Sequence, residues 1–121
     1  LIELRELTCE ACRVGAPQAT RGETDDFMVQ IPEWKIVVVD DEKRLIRTYK
    51  FKNFREASAF TNKVGEIAEE AGHHPAILTE WGAVTVSWWT HKIKGLHLND
   101  FVMAAKTDQL LGNVCENPDL I

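Results

Sequence analysis

All four histidines of the chain, His73, His74, His91 and His97, lie between positions 73 and 97. Imidazole has an ordinary pKa of about 6.5, so it can both give and take a proton near neutrality. Two such groups on opposite sides of a small substrate could catalyse an elimination, each positioned acid or base supplying roughly 10² to 10⁴ in rate. His73 and His74 follow a helix that Gly72 should end and Pro75 should keep from resuming. Unpaired carbonyls and the negative dipole end of a helix favour a cationic side chain there. Glu69 sits one turn earlier and opposes that dipole. His91 closes a run in which Val84, Val86, Trp88 and Thr90 share one strand face, while Thr85, Ser87, Trp89 and His91 share the other. Alternation therefore sends His91 away from the core. A plainer account fits the same residues: adjacent histidines before a proline as loop and cap residues, and a strand-end histidine as a surface group. Residue type and pattern leave both readings open.

Other reactive residues carry less. Cys9-Glu10-Ala11-Cys12 has the spacing of half a zinc site, but Cys115 stands alone far downstream and no second pair completes it. The pair also lacks the strand-to-helix setting of a thioredoxin-like redox motif. Three histidines in one place raise zinc again, as ligands of a hydrolytic metal. Trp88 reads as core. Trp89, on the face of His91, reads as a pocket wall or a subunit contact.

The elements that must hold these residues are legible from about position 30 onward. Trp34 to Val39 and Leu45 to Phe51 are strand-like and are separated by the polar run Asp40-Asp41-Glu42-Lys43, the pattern of an antiparallel hairpin. Asn53 is a good N-cap with Glu56 three residues on, and Phe54, Ala57, Phe60, Val64, Ile67, Ala68 and Ala71 form one buried helical stripe. Ile77 to Trp81 and Val84 to His91 form a second hairpin joined at Gly82-Ala83. A closing helix is predicted over Leu98 to Leu111, stopped near Gly112. The order β-β-α-β-β-α with hairpins implies an α+β fold, a four-stranded antiparallel sheet with helices packed on one face. The organisation expected is an N-terminal extension over 1–30 with loop and a short helix through Phe27 and Val29, a single domain over 31–112, and a C-terminal tail over 113–121.

Composition agrees with one soluble globular domain. The chain has 121 residues, is 45% hydrophobic and 27% charged, and carries a net charge of −5. An acidic balance offers no field for nucleic acid or an anionic membrane surface. No apolar run reaches membrane-spanning length, the chain opens on Leu1 without a signal-like segment, and its three cysteines do not suggest a secreted disulfide framework. The expected location is the cytoplasm.

The run Glu69-x₃-His73-His74-Pro75, then Trp81, then Thr90-His91, then Gly95-Leu96 and Asp100, resembles the signature of the pterin-4a-carbinolamine dehydratases. Ile31-Pro32-x-Trp34 and Phe51-x-Asn53-Phe54 with Ala57 and Phe60 extend the likeness, which covers roughly residues 30 to 110. The resemblance implies removal of water from a 4a-hydroxytetrahydropterin to give the quinonoid dihydropterin, with pterin as substrate and neither cofactor nor metal. It makes His73 and His91 the proton-transfer pair and has His74, the third catalytic residue, contact the pterin and assist. Glu69 would tune or orient His73, and Thr90 and Asp100 would orient His91 or the substrate, with Pro75 and Trp81 completing the binding set. It also implies a functional partnership with phenylalanine hydroxylase and a homodimer or homotetramer. Animal members of the family act besides as a dimerisation cofactor for a homeodomain transcription factor, which makes a binding module the second hypothesis. A zinc hydrolase using His73, His74 and His91 is the third. One position departs from the pattern: His97 stands where the family has Thr in Gly-Leu-Thr-x-x-Asp. Imidazole is the poorer cap, so Asn99 is expected to cap the last helix, and His97→Ala is expected to leave turnover intact.

Overall fold

The computed structural model describes residues 3–4, 19–90 and 95–114, with side chains assigned as far as Leu111. His91, the Cys9/Cys12 pair, Cys115, the 14–17 stretch and the tail beyond 114 lie outside the described residues. The elements are α1 (Arg21–Met28), β1 (Lys35–Val39), β2 (Glu42–Lys50), α2 (Phe54–Ala71), β3 (Ala76–Glu80), β4 (Ala83–Trp88) and α3 (Leu98–Val114). The four strands form one antiparallel sheet in the order β1-β2-β4-β3. Apart from the leading α1, this is the α+β arrangement that the hydrophobic periods predict.

Alternation divides the sheet. Leu45 and Tyr49 of β2 and Val84, Val86 and Trp88 of β4 are buried against Ala57, Phe60, Val64 and Ala68 of α2 and Phe101 to Ala105 of α3. Burying each of the larger aliphatic and aromatic side chains among them contributes about 1.5–3 kcal/mol. On the other face Thr48 and Thr85 pair through their hydroxyls at 2.9 Å in solvent. Leu4, far from this core in sequence, is fully buried within it, and its N–H donates to Gln30 Oε1 at 2.9 Å.

Three local features differ from expectation. The first turn is two residues long, because Asp40 and Asp41 both adopt positive φ (52° and 63°) and close β1 on β2 directly. That left-handed pair matches the twist of the hairpin, and aspartate tolerates it better than most residues. Glu42 and Lys43 are strand, not turn. The last helix runs through Gly112 to Val114, since one glycine costs a helix only about 1 kcal/mol. The short helix expected through Phe27 and Val29 instead takes in residues 21–26, read as loop, and ends at Met28, because Thr20 starts it with a complete capping box to Glu23.

A polar cluster ties α3 to β2 behind the core. Trp34 Nε1–H (2.9 Å), Arg47 Nη1–H (2.8 Å) and the Tyr49 hydroxyl all donate to Asp108 Oδ1. Burial, and next the Asp108 carboxylate beside it, raises the Tyr49 phenol far above the ordinary tyrosine range. The folded chain therefore holds this proton where the unfolded chain releases it. The contribution to stability is complete below about pH 10 and declines as pH rises from there toward the folded-state value. Tyr49→Phe should flatten part of the fall in stability above that pH, read as the urea midpoint against pH. An unchanged alkaline limb would contradict the burial account.

Candidate active site

Two helix ends meet beside the end of β4. At the first, Gly72 is left-handed (φ 67°, ψ 25°), its N–H reaches Glu69 O at 3.2 Å, and His73 N–H reaches Ala68 O at 3.2 Å. This is the double closure of a glycine-ended helix, and it sets the direction in which the chain presents His73. The ring of His73 stacks on Trp88, with centroids 5.4 Å apart and planes 24° apart. Trp88 is itself held by Thr107, whose Oγ1 accepts its Nε1–H at 3.1 Å.

At the second end, α3 delivers Asp100, whose carboxylate is the hub of the cluster. His73 Nε2 lies 2.6 Å from Asp100 Oδ1, while Oδ2 accepts from Thr90 Oγ1 at 2.7 Å and from the His97 N–H at 2.8 Å. Asp100 is fully buried, Thr90 is 2% exposed and His73 5% exposed. With donors on both oxygens, the carboxylate accepts throughout, so the proton sits on His73 Nε2. A carboxylate that fixes the tautomer and orientation of a histidine is the device that lets imidazole act as a directed proton carrier. Thr90 is pinned from the backbone as well, its N–H bonding Gly95 O at 3.1 Å.

His74 and Glu69 form a different kind of pair. Their 2.9 Å contact is on the surface, with side chains 62% and 80% exposed. Exposed pairs hold their geometry weakly, which leaves His74 free to swing toward a ligand. A shallow open groove along α2, lined by Asn62, Gly65, Glu66, Glu69 and Glu70, runs up to it.

The expected site residues are thus partly gathered. His73, Thr90 and Asp100 make one buried unit, with Glu69 and His74 on its rim and Pro75 half-buried between His74 and β3. One expected pairing changes and one is added. Asp100 reaches His73 directly, and Glu69 is paired with His74. The His73–Asp100 contact arises because α2 and α3 bring their ends together, which no local pattern encodes, whereas Glu69 and His74 pair locally on the surface where α2 ends. Trp81 is 72% exposed in the β3–β4 turn, separated from the cluster by a five-residue strand, roughly 16 Å of rise. Trp89 lies under Arg44, whose guanidinium carbon is 4.0 Å from the ring centroid. Among the described residues no group of three or more His, Cys, Asp or Glu side chains could hold a metal ion.

His97 also departs from expectation. Its Nδ1 accepts the Asn99 N–H at 3.1 Å, so His97, not Asn99, caps α3. Sequence reasoning did not find Thr107, although it lies seven residues beyond Asp100 on the same helical face.

Known proteins give this constellation a context. A family model described as Pterin 4 alpha carbinolamine dehydratase matches residues 17–110. A Syntrophotalea carbinolica protein provisionally named pterin-4-alpha-carbinolamine dehydratase is 65% identical over 108 residues, covering 89% of this chain and 96% of that protein. A Nitrosococcus oceani protein of the same provisional name is 61% identical over 109 residues, covering 90% and 96%. Among solved structures, a Brucella melitensis protein described as a transcriptional coactivator/pterin dehydratase superposes with a TM-score of 0.69 at 28% identity, over 78% of this chain and 98% of that one. A pterin dehydratase-like protein identified as a RuBisCO assembly factor in the alpha-carboxysome shares the fold, with a TM-score of 0.57 at 21% identity.

Proposed function

The chain belongs to the pterin-4a-carbinolamine dehydratase family, and from that premise we propose that it removes water from a 4a-hydroxytetrahydropterin to give the quinonoid dihydropterin. The observation that carries the reading is the buried His73–Asp100–Thr90 unit. The reaction breaks the C4a–O bond, delivers a proton to the departing hydroxyl and takes one from N5. Electrons are only redistributed within the pterin ring, so no oxidant or reductant enters. His73, oriented by Asp100 and backed by Trp88, is one proton carrier, and His91, the residue after Thr90 in sequence, is the other. His74, on an exposed and weakly held contact, binds the pterin. Glu69 holds His74 in the free protein.

On this reading the enzyme needs no resident cofactor or metal. Turnover should survive exhaustive chelation. Activity lost on chelation and restored by zinc would instead favour a metal-dependent hydrolytic site. The physiological setting is pterin recycling for phenylalanine hydroxylase, in the cytoplasm, and no helix among the described residues is long and apolar enough to cross a membrane. Association as a homodimer or homotetramer is supported by the two sheet edges, β1 and β3, and by exposed Val38 (64%) and Leu78 (58%) upon them.

A further inference from the structure

The start of α3 is closed by two bonds, in one of which an imidazole takes the place of the usual hydroxyl. His97 Nδ1 accepts the Asn99 N–H at 3.1 Å, and Asp100 Oδ2 accepts the His97 N–H at 2.8 Å. The second bond is the half of a capping box that runs from the N-cap N–H to the N3 carboxylate, so one side chain both closes the helix start and orients His73. Oδ2 is shared between the cap and Thr90, while Oδ1 serves His73. The carboxylate plane is thereby set by the backbone of His97 on one side and delivered to the His73 ring on the other. Loosening the cap lets the first turn of α3 fray, and Asp100 lies in that turn.

We infer that His97 is a positioning residue for the reaction, acting through Asp100 on His73. This rests on the dehydratase reading for its kinetic consequence, but not for its geometry. The cap needs an acceptor at position 97 and nothing more of the imidazole, so a hydroxyl should replace it. The surface role expected from the sequence, with turnover indifferent to His97→Ala, gives way to this one.

The test compares His97→Ala with His97→Thr in the full chain. Two quantities are read: kcat and KM for carbinolamine dehydration, and the ring ¹⁵N shifts of His73 in long-range ¹H–¹⁵N spectra, which report the nitrogen carrying the proton. His97→Ala should lower kcat by about 10-fold to 100-fold with little change in KM, the range set by a misplacement of an ångström or less. It should also move the His73 ring nitrogens off their wild-type pattern. His97→Thr should restore both. Wild-type kcat and wild-type His73 shifts in His97→Ala would overturn the inference. So would a fall in kcat with the His73 shifts unmoved, since the path through Asp100 would then be absent. A threonine variant as impaired as alanine would mean that the imidazole itself is needed, which also overturns it. If the wild-type chain has no dehydratase activity, the spectra still decide whether His97 positions His73.

Discussion

Replacing His73 with alanine should lower turnover of the carbinolamine by about 10² to 10⁴-fold, the contribution of one positioned proton carrier. The ring is 5% exposed, stacked on Trp88 at 5.4 Å and bonded to Asp100 at 2.6 Å, so no neighbouring imidazole can take its position without repacking. Alanine also leaves the Asp100 carboxylate without one of its donors in a buried setting. Thr90 and the His97 N–H remain on Oδ2, so the fold should survive with a lowered melting temperature. Turnover is therefore expressed per folded molecule, counted by circular dichroism. The loss should lie in kcat, because pterin contact is assigned to His74. A folded His73→Ala chain with undiminished kcat would remove His73 from the chemistry.

Asp100→Asn separates holding a histidine from merely filling space beside it. The amide has nearly the shape of the carboxylate but only one accepting atom, against the donors that meet Asp100 on both oxygens. If the amide oxygen keeps Thr90 and the His97 N–H, its NH₂ faces His73 Nε2 and forces the proton to the other ring nitrogen. Turnover should fall by about 10² to 10⁴-fold through the wrong tautomer. Stability should fall by about 1–3 kcal/mol, because the amide's second N–H is left without an acceptor in the interior. The two effects are read separately, by stopped-flow dehydration and by urea denaturation. Lost stability with intact turnover would make Asp100 a helix cap and nothing more.

Much of the frame could be read before the structure, and what could not has a common cause. The stripe of α2, its Asn53 cap and its Gly72 stop are set by residues a turn or less apart and form as their spacing predicts, except that Phe54, read as part of the buried stripe, is 52% exposed at the first turn. Hairpin registers follow the alternation of Val84, Val86 and Trp88. The turn at Asp40-Asp41 was harder, because left-handed aspartates lack the glycine that usually marks such a turn. The partner of each site residue was harder still. Asp100 meets His73 across 27 positions of sequence, and that contact depends on how α2 and α3 pack over one sheet. Glu69 is one turn from His73 along the helix, yet its carboxylate pairs with His74 on the surface. His97 looked like a departure from the family's threonine and turned out to supply the same acceptor from a ring nitrogen.

The most direct test of the central claim is the rate at which the 4a-carbinolamine decays, followed by its ultraviolet absorbance during hydroxylase turnover with and without this protein. Substoichiometric protein should speed the decay in proportion to its concentration, through many turnovers, and yield quinonoid dihydropterin. Decay at the uncatalysed rate, whatever the amount of folded protein added, would contradict the account.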